Sequence, residues 1–191
     1  MSNNVTAAKP KFGGAVYVAP TGTTLPTDAT TALNEAFTTL GYISDAGLVN
    51  STEINTETKK AWGGDEVLEL FQGRTDSFNF TLIEALDVNV LKLVYGADNV
   101  TGTLVSGITI NVKSNIELPE QVMVVEMNMK GNTVKRIVIP CATVTNVGDI
   151  TYSDSDVVGY DTTVKAAPDT AGNTHYEYIS GTTGATGATN G

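Results

Sequence analysis

Residues 121–139, which read QVMVVEMNMK-GN-TVKRIVI, contain the pattern that decides the fold class. Apolar and polar side chains alternate along residues 121–130. This places four apolar residues on one face of a strand and Glu126, Asn128 and Lys130 on the other. Gly131-Asn132 is a tight-turn pair, after which residues 133–139 are expected to pair back. The stretch therefore predicts a β-hairpin with one apolar face.

Strand patterns continue outward from this hairpin in both directions. Short apolar or alternating runs separated by Gly, Pro, Asn and Ser favour extended structure over helix. The further predicted strands are residues 14–19, 66–71, 76–82, 108–112, 143–152, 157–166 and 174–179. The pair 143–152 and 157–166 is expected to form a second hairpin around residues 153–156.

Residues 48–82 predict one unusually long hairpin. Its first strand, residues 48–58, is polar and Thr-rich, while the second alternates and places Phe78, Phe80 and Leu82 on one face. The turn is expected at residues 59–65, with Trp62 at or near its tip. A hairpin with so little apolar content in one strand is expected to project past the sheet.

Two helices are predicted. Residues 87–95 carry an apolar stripe, with Asp87 placed to cap the first amides and Gly96 where a C-cap belongs. Within residues 28–40 a shorter helix is expected, because apolar side chains recur at helical spacing before Gly41; they are Leu33, Ala36, Phe37 and Leu40.

Together these elements predict a mainly β fold: a β-sandwich or small barrel with one flanking α-helix. The expected organisation is an N-terminal arm at residues 1–12, one domain at residues 13–180 and a flexible, low-complexity tail at residues 181–191.

Composition narrows the function. The 191 residues carry a formal net charge of −10, and Arg74 and Arg136 are the only arginines. Binding to nucleic acid or to anionic membranes is disfavoured, because both need clustered basic side chains. Charged residues make up only 17% and there are 29 threonines, a surface that other subunits can cover at low desolvation cost. The start of the chain has no leader pattern, so synthesis in the cytoplasm is expected.

Catalytic and metal-binding patterns are lacking. The single histidine, His175, is interpreted as a surface strand residue, and Cys141 in its apolar run as a buried, inert thiol. Asp154-x-Asp156 resembles a fragment of a calcium loop, but the glycine and the bidentate glutamate are missing, which favours a solvated turn. We expect that the chain is not an enzyme and binds no metal and no cofactor; a hydrolase is the least favoured hypothesis.

Several stretches resemble the major tail tube proteins of long-tailed, siphovirus-type bacteriophages. The resemblance extends over about residues 13–180, and no single motif is specific but the series is. The stretches are GGAVYVAP at 13–20, LPTD at 25–28, LGYISDAGL at 40–48, AWGGD at 61–65, FTLIEAL at 80–86, VYG at 94–96, KRIVIP at 135–140 and VGD at 147–149.

The resemblance implies a non-enzymatic virion subunit, six copies of which close into a ring; rings then stack into a hollow tube for DNA. It implies ring-to-ring contact through residues 1–12, 52–66 and 167–180. Within the hairpin the contact residues would be Lys59, Lys60, Trp62 and Asp65. Implied partners are further copies of the chain and the tail tip or initiator, tape measure and tail terminator proteins. DNA would pass without specific binding, and no membrane is involved.

The negative charge suits a DNA conduit. Six copies at −10 each would carry −60, and like charge keeps a duplex off the wall of a channel. The candidate lumen acids are Glu126, Asp149, Asp154 and Asp156; facing the outer solvent is the alternative for each.

Two other functions stay open. A Thr-rich β-sandwich that binds glycans would need an exposed aromatic platform, for which Trp62, or Tyr176 with Tyr178, are the candidates. The tube subunit of a contractile tail or of a secretion system has a similar fold, and the sequence does not separate it from the siphovirus type.

Overall fold

The computed structural model describes residues 4–181. Within them lie eleven β-strands, one α-helix and a 3-10 turn at Ala97–Asn99. The α-helix is α1 (Val88–Tyr95). The strands are β1 (Lys9–Pro10), β2 (Val16–Pro20), β3 (Thr38–Thr39), β4 (Ile43–Lys60), β5 (Glu66–Leu82), β6 (Val100–Thr103), β7 (Gly107–Ile110), β8 (Gln121–Met129), β9 (Thr133–Val147), β10 (Tyr160–Ala167) and β11 (Tyr176–Gly181). The predicted mainly β class is confirmed.

One antiparallel sheet dominates the described part of the chain. Its strand order is β3-β2-β8-β9-β10-β5-β4, with β1 added beside β8 and β11 beside β9, while β6 and β7 form a separate hairpin. The first and last strands of this order, β3 and β4, are separated by residues 40–42 alone. The two ends of the sheet are therefore brought together by the chain itself, and the sheet curls into a sandwich around its core.

The β8–β9 hairpin has the predicted pairing, from Gln121↔Ala142 to Met129↔Thr133. Gly131 and Asn132 both have positive φ, 76° and 58°, which suits the residue types at this turn. Strand β9 runs unbroken through Pro140, so the two strands predicted on either side of it are one. A register shift in the β8–β9 ladder near this point accommodates the missing N–H of the proline.

Helix α1 covers the core, as predicted. The Asp87 carboxylate accepts hydrogen bonds from the amides of Asn89 at 2.6 Å and Val90 at 3.4 Å, and Gly96 follows with φ 87°. Its buried face joins a core built from β2, β5, β8, β9 and β10. The most deeply buried core side chains include Phe78, Phe80, Leu82, Val90, Met123 and Ile139.

The helix predicted within residues 28–40 is wrong: this segment forms turns and then β3. The Asp28 carboxylate accepts hydrogen bonds from the amides of Thr30 and Thr31, both at 2.6 Å. The Asn34 side chain likewise accepts from the Ala36 amide at 2.9 Å. Side chains that bond nearby amides compete with helical hydrogen bonds, and here they prevail over the apolar spacing.

The described part of the N-terminal arm, residues 4–12, is exposed but attached to the sheet. Lys9 and Pro10 pair with Asn128 and Met127 of β8, and the Lys11 amide donates to the Glu126 carbonyl at 3.2 Å. At the other end of the chain, β11 extends to Gly181. The predicted flexible tail otherwise lies outside the described residues.

Candidate assembly surfaces

The long hairpin extends well beyond the sheet. Among the described residues, the β10 ladder on β5 ends at Ala166↔Asp76, so from there outward β4 and β5 pair only with each other. We call residues 53–75 the protruding hairpin. Eight residues at about 3.3 Å each make it roughly 26 Å long. Every residue from 51 to 72 is exposed, which confirms the predicted projection.

The protruding hairpin carries apolar side chains on both faces. Directly paired residues share a face, so Phe71 lies with Thr56 on one face and Leu70 lies with Glu57 on the other. Its exposed large apolar residues are Ile54, Trp62, Val67, Leu68, Leu70 and Phe71. An isolated two-stranded ribbon is marginally stable in water, and contiguous apolar surface marks sites of association.

The four predicted ring-contact residues lie together at the hairpin tip. Trp62 is fully exposed within the turn of residues 61–65, where the Ala61 amide donates to the Asp65 carbonyl at 2.8 Å. Lys59 forms an ion pair with Glu57, and Lys60 Nζ lies 3.8 Å from Glu66 Oε1. The tip therefore presents an indole between two basic residues and an acidic one.

A buried carboxylate anchors the base of this hairpin. Asp76 is fully buried and accepts from Arg74 Nε at 3.0 Å, Thr52 Oγ1 at 2.6 Å and Thr174 Oγ1 at 2.5 Å. Burial raises the pKa of Asp76, but these hydrogen bonds outweigh it and lower the pKa to about 2. The cluster joins β4, β5 and the segment before β11 at the point where the hairpin leaves the sheet.

His175 belongs to this anchor, so its interpretation as a surface strand residue is wrong. Its side chain is 10% exposed, and its ring packs edge-on against Phe78 with centroids 5.3 Å apart. Its Nδ1 lies 3.1 Å from Thr174 Oγ1 and 3.8 Å from Asp76 Oδ2. The sequence held one signal of this anchor: a single aspartate, Asp76, lies two residues before the alternating apolar run Phe78, Phe80, Leu82.

Glu126 does not present a free charge to a surface, contrary to the prediction for it. It is 5% exposed, because both faces of β8 are covered around it. Its carboxylate accepts from Arg136 Nε at 3.0 Å and from Lys11 Nζ at 2.5 Å. Arg136 also donates to the carbonyls of Asp28 at 2.7 Å and Thr31 at 2.8 Å, which ties the Asp28 turn to the sheet.

The other three predicted acids share one loop. Asp149, Asp154 and Asp156 are all exposed in residues 148–159, which connect β9 to β10. Among residues 4–181, no group of three or more His, Cys, Asp or Glu side chains is placed to hold a metal ion. The loop is an acidic surface, and Glu126 lies apart from it.

The remaining candidate sites are the Cys141 thiol and the pair Tyr176 and Tyr178, and neither has the features of a strong functional site. Cys141 is half-buried, not buried as predicted. Desolvation is the main cause that raises the pKa of its thiol, and the negative charge of nearby Glu120 is the second; the raised pKa disfavours the reactive thiolate. The rings of Tyr176 and Tyr178 are parallel with centroids 6.3 Å apart, and the Tyr176 hydroxyl donates to Asp169 at 2.6 Å. Both tyrosines are half-buried, so a glycan platform there would be narrow.

In the part of the chain that the structure covers, no helix has the length and hydrophobicity needed to cross a bilayer.

Comparison with curated proteins finds no match. The family model for the phage tail tube protein matches residues 1–189. That family is structural and non-enzymatic, as the resemblance implied. The match covers nearly the whole chain, so this protein belongs to the phage tail tube protein family and is a structural subunit of the virion's tail tube.

Proposed function

We propose that six copies of this chain close into a ring and that stacked rings form the conduit through which phage DNA enters the host. Membership of the tail tube family implies self-assembly into a tube. The number of subunits in a ring, the stacking contacts and the passage of DNA are the proposed parts.

The protruding hairpin is the observation that carries this proposal. It leaves Trp62 and Phe71 in solvent, 105% and 69% exposed, on a ribbon that no other described strand supports. Large aromatic side chains dominate interfaces energetically when they become buried. A neighbouring copy that covers the hairpin supplies the burial that the single chain does not.

The sheet edge supports closure into a ring. Strand β4 ends the strand order and carries 18 residues, so its outer edge offers a long row of backbone groups. A long exposed edge is a template for pairing with another chain. If the β4 edge of each copy pairs with a different surface of the next copy, closure of the ring leaves none of these edges free.

The acidic loop supports a repulsive lumen. Asp149, Asp154 and Asp156 are exposed and close in sequence, and we propose that they line the channel. Like charge disfavours contact between the wall and DNA phosphates. Glu126 is not carried into this set, because it is buried and paired.

We further propose that the tube belongs to a siphovirus-type tail, made in the host cytoplasm, and that the tail tip or initiator, tape measure and tail terminator proteins bind it. A contractile tail is the alternative setting. A sheath gene beside the gene for this chain would identify the contractile type and contradict the siphovirus assignment.

Negative-stain electron microscopy of the purified protein at high concentration, with and without tail-initiator complexes, tests the assembly. We expect six-fold rings and tubes. Trp62→Ala, or deletion of residues 57–65, is expected to reduce stacking strongly while the melting temperature of the monomer changes little. Val105→Ala is the matched control, because Val105 is also fully exposed but lies in the turn between β6 and β7.

Two results would contradict the proposal. Persistent monomers under seeded, concentrated conditions would argue against a tube-forming subunit. Equal loss of stacking and of monomer folding in the tip variants would argue against the hairpin as the contact.

The lumen assignment has its own experiment. Phage carrying Asp149→Asn, Asp154→Asn and Asp156→Asn together should form normal tails but eject DNA more slowly, measured by dye binding to released DNA. Unchanged ejection would place these acids on the outside of the tube.

A further inference from the structure

An apolar pocket lies between helix α1, the end of β2 and the start of β8. Its volume is about 440 Å³, within the range of small-molecule sites and large enough for an indole ring. Its apolar lining includes Val18, Ala19, Pro20, Leu93 and Pro119, and Lys92 and Glu120 add charge to its wall.

We propose that this pocket, which we call the α1 pocket, receives the hairpin tip of a second copy, with Trp62 inserted between α1 and the end of β2. This rests on the proposed function, in which the tip contacts the next ring, and it names the surface on that ring. Trp62 is the single tryptophan of the chain and is fully exposed. A desolvated apolar pocket is where such a residue contributes most to binding.

The register of the sheet separates the tip from the pocket along the strand direction. One row of paired residues crosses the sheet through Thr52, Asp76, Ala166, Ala142, Gln121 and Pro20. The strands are antiparallel, so the direction that leads from Asp76 to the tip runs from Gln121 towards Met129 on β8. The pocket residues Pro119 and Glu120 lie on the other side of the row.

This polarity gives an open assembly. Each copy has one tip and one pocket on different surfaces, so the contact is head-to-tail and leaves a free tip and a free pocket at the two ends of any chain of copies. Such a contact propagates along an axis, as stacking requires. A contact of the tip with an identical tip would stop at pairs.

The charges are complementary. Among residues 4–181 neither Lys92 on the pocket wall nor the Asp65 carboxylate takes part in any of the ion pairs found. Asp65 lies three residues after Trp62, on the same turn. With the indole in the pocket, we propose that Asp65 of one copy pairs with Lys92 of the next.

Cysteine crosslinking tests the contact directly. In a Cys141→Ser background, Ala61→Cys at the tip is combined with Ala36→Cys at the pocket, both exposed positions. After mild oxidation of assembled tubes, denaturing gels should show a ladder of dimers, trimers and longer species. Each single variant should give dimers at most. Ala61→Cys with Val105→Cys is the control pair and should give no ladder.

The outcomes separate this inference from the proposed function. If tubes form but the tip and pocket pair gives no ladder, the proposal that the tip binds the α1 pocket is wrong, while the proposed tube assembly stands. A ladder from the control pair alone would have the same meaning. If neither the wild type nor the Cys141→Ser parent forms tubes, both the α1-pocket contact and the proposed function are contradicted. Absence of tubes from the double variant alone is resolved by the charge exchange below.

Charge exchange gives an independent measurement without cysteines. Lys92→Asp or Asp65→Lys alone should raise the critical concentration for tube assembly about tenfold, because each places like charges together. The double exchange should restore it to within about threefold of the wild type. Additive losses in the double variant would contradict the pairing.

Discussion

The chain contains two well-formed antiparallel hairpins with opposite surroundings. In the β8–β9 hairpin, residues 122–126 and 136–140 are all buried, with both faces covered by the same chain. In the protruding hairpin, residues 53–72 are all exposed, although Phe71, Leu68 and Val67 are as apolar as many core residues. Backbone pairing alone therefore does not say where a hairpin finds its stability.

The difference separates folding from assembly. Side chains on β8 and β9 stabilise the single molecule, because they leave water when it folds. Side chains on the protruding hairpin are still in water afterwards, so their burial is deferred to contact with another copy. Substitutions in the two hairpins are expected to affect different equilibria.

The sharpest test compares two phenylalanines on one strand. Phe80 of β5 is 1% exposed and Phe71 is 69% exposed. Phe80→Ala should lower the free energy of unfolding of the monomer by about 3–5 kcal/mol, because it leaves a cavity. Phe71→Ala should change it by less than about 0.5 kcal/mol. Urea denaturation of both variants measures this, and similar losses would erase the proposed distinction.

Breaking the buried ion pair of β8 and β9 is expected to cost about 3–5 kcal/mol, because Glu126→Ala leaves the Arg136 guanidinium buried without its carboxylate. Lys11→Ala is the control, since half of that side chain is exposed and its loss should cost about 1 kcal/mol or less. Thermal and urea unfolding report both values. A Glu126→Ala variant as stable as Lys11→Ala would mean that water reaches the site.

The anchor between the two regions predicts a pH dependence. The pKa of Asp76 is about 2 in the fold against 3.8 in its absence, so its ionised form stabilises the folded state by about 2 kcal/mol above pH 4. That contribution is lost as the pH falls from about 4 to about 2, because the unfolded chain binds a proton in this range while Asp76 in the folded chain stays ionised.

Wild type and Asp76→Asn compared by unfolding between pH 6 and pH 2 isolate this effect from the other acids. The stability difference in favour of the wild type should shrink across the window. A difference that is constant with pH would show that the carboxylate charge does not anchor the hairpin.

The smallest expected effect is at the hairpin tip. Lys59 and Glu57 form an ion pair in which both side chains are about half exposed. Lys59→Ala should change monomer stability by less than about 0.5 kcal/mol, in contrast to the buried pair at Glu126. A loss above 1 kcal/mol in the monomer would show that the ribbon is stabilised within one copy.

The strands and α1 were predictable because they depend on local signals. Alternation along β5 and β8, and the Asp87 cap with Gly96, act within a few residues. The segment 28–40 had helical spacing too, but the Asp28 and Asn34 side chains bonded to local amides instead. Helical spacing of apolar residues is a weaker constraint than a turn whose backbone amides are hydrogen-bonded by side chains, when no face of the sheet is left for a helix to cover.

The polar sites were not predictable, because their partners are distant in sequence. Arg136 bonds the Asp28 carbonyl 108 residues away, and Thr174 bonds Asp76 98 residues away. Alternation assigned Glu126 correctly to the face opposite Met123 and Val125. It could not show that the Asp28 turn covers that face.

The sequence by itself determined the β class, the capped helix, the long hairpin with Trp62 at its tip, the acidic balance and the resemblance to tail tube proteins, since period-two alternation, turn chemistry and net charge belong to the chain before it folds. Only the tertiary structure decided which charges are buried and where the α1 pocket opens relative to the hairpin tip. The physical reason is that burial and polarity depend on which distant segments the sheet register brings together, and register is a property of paired strands.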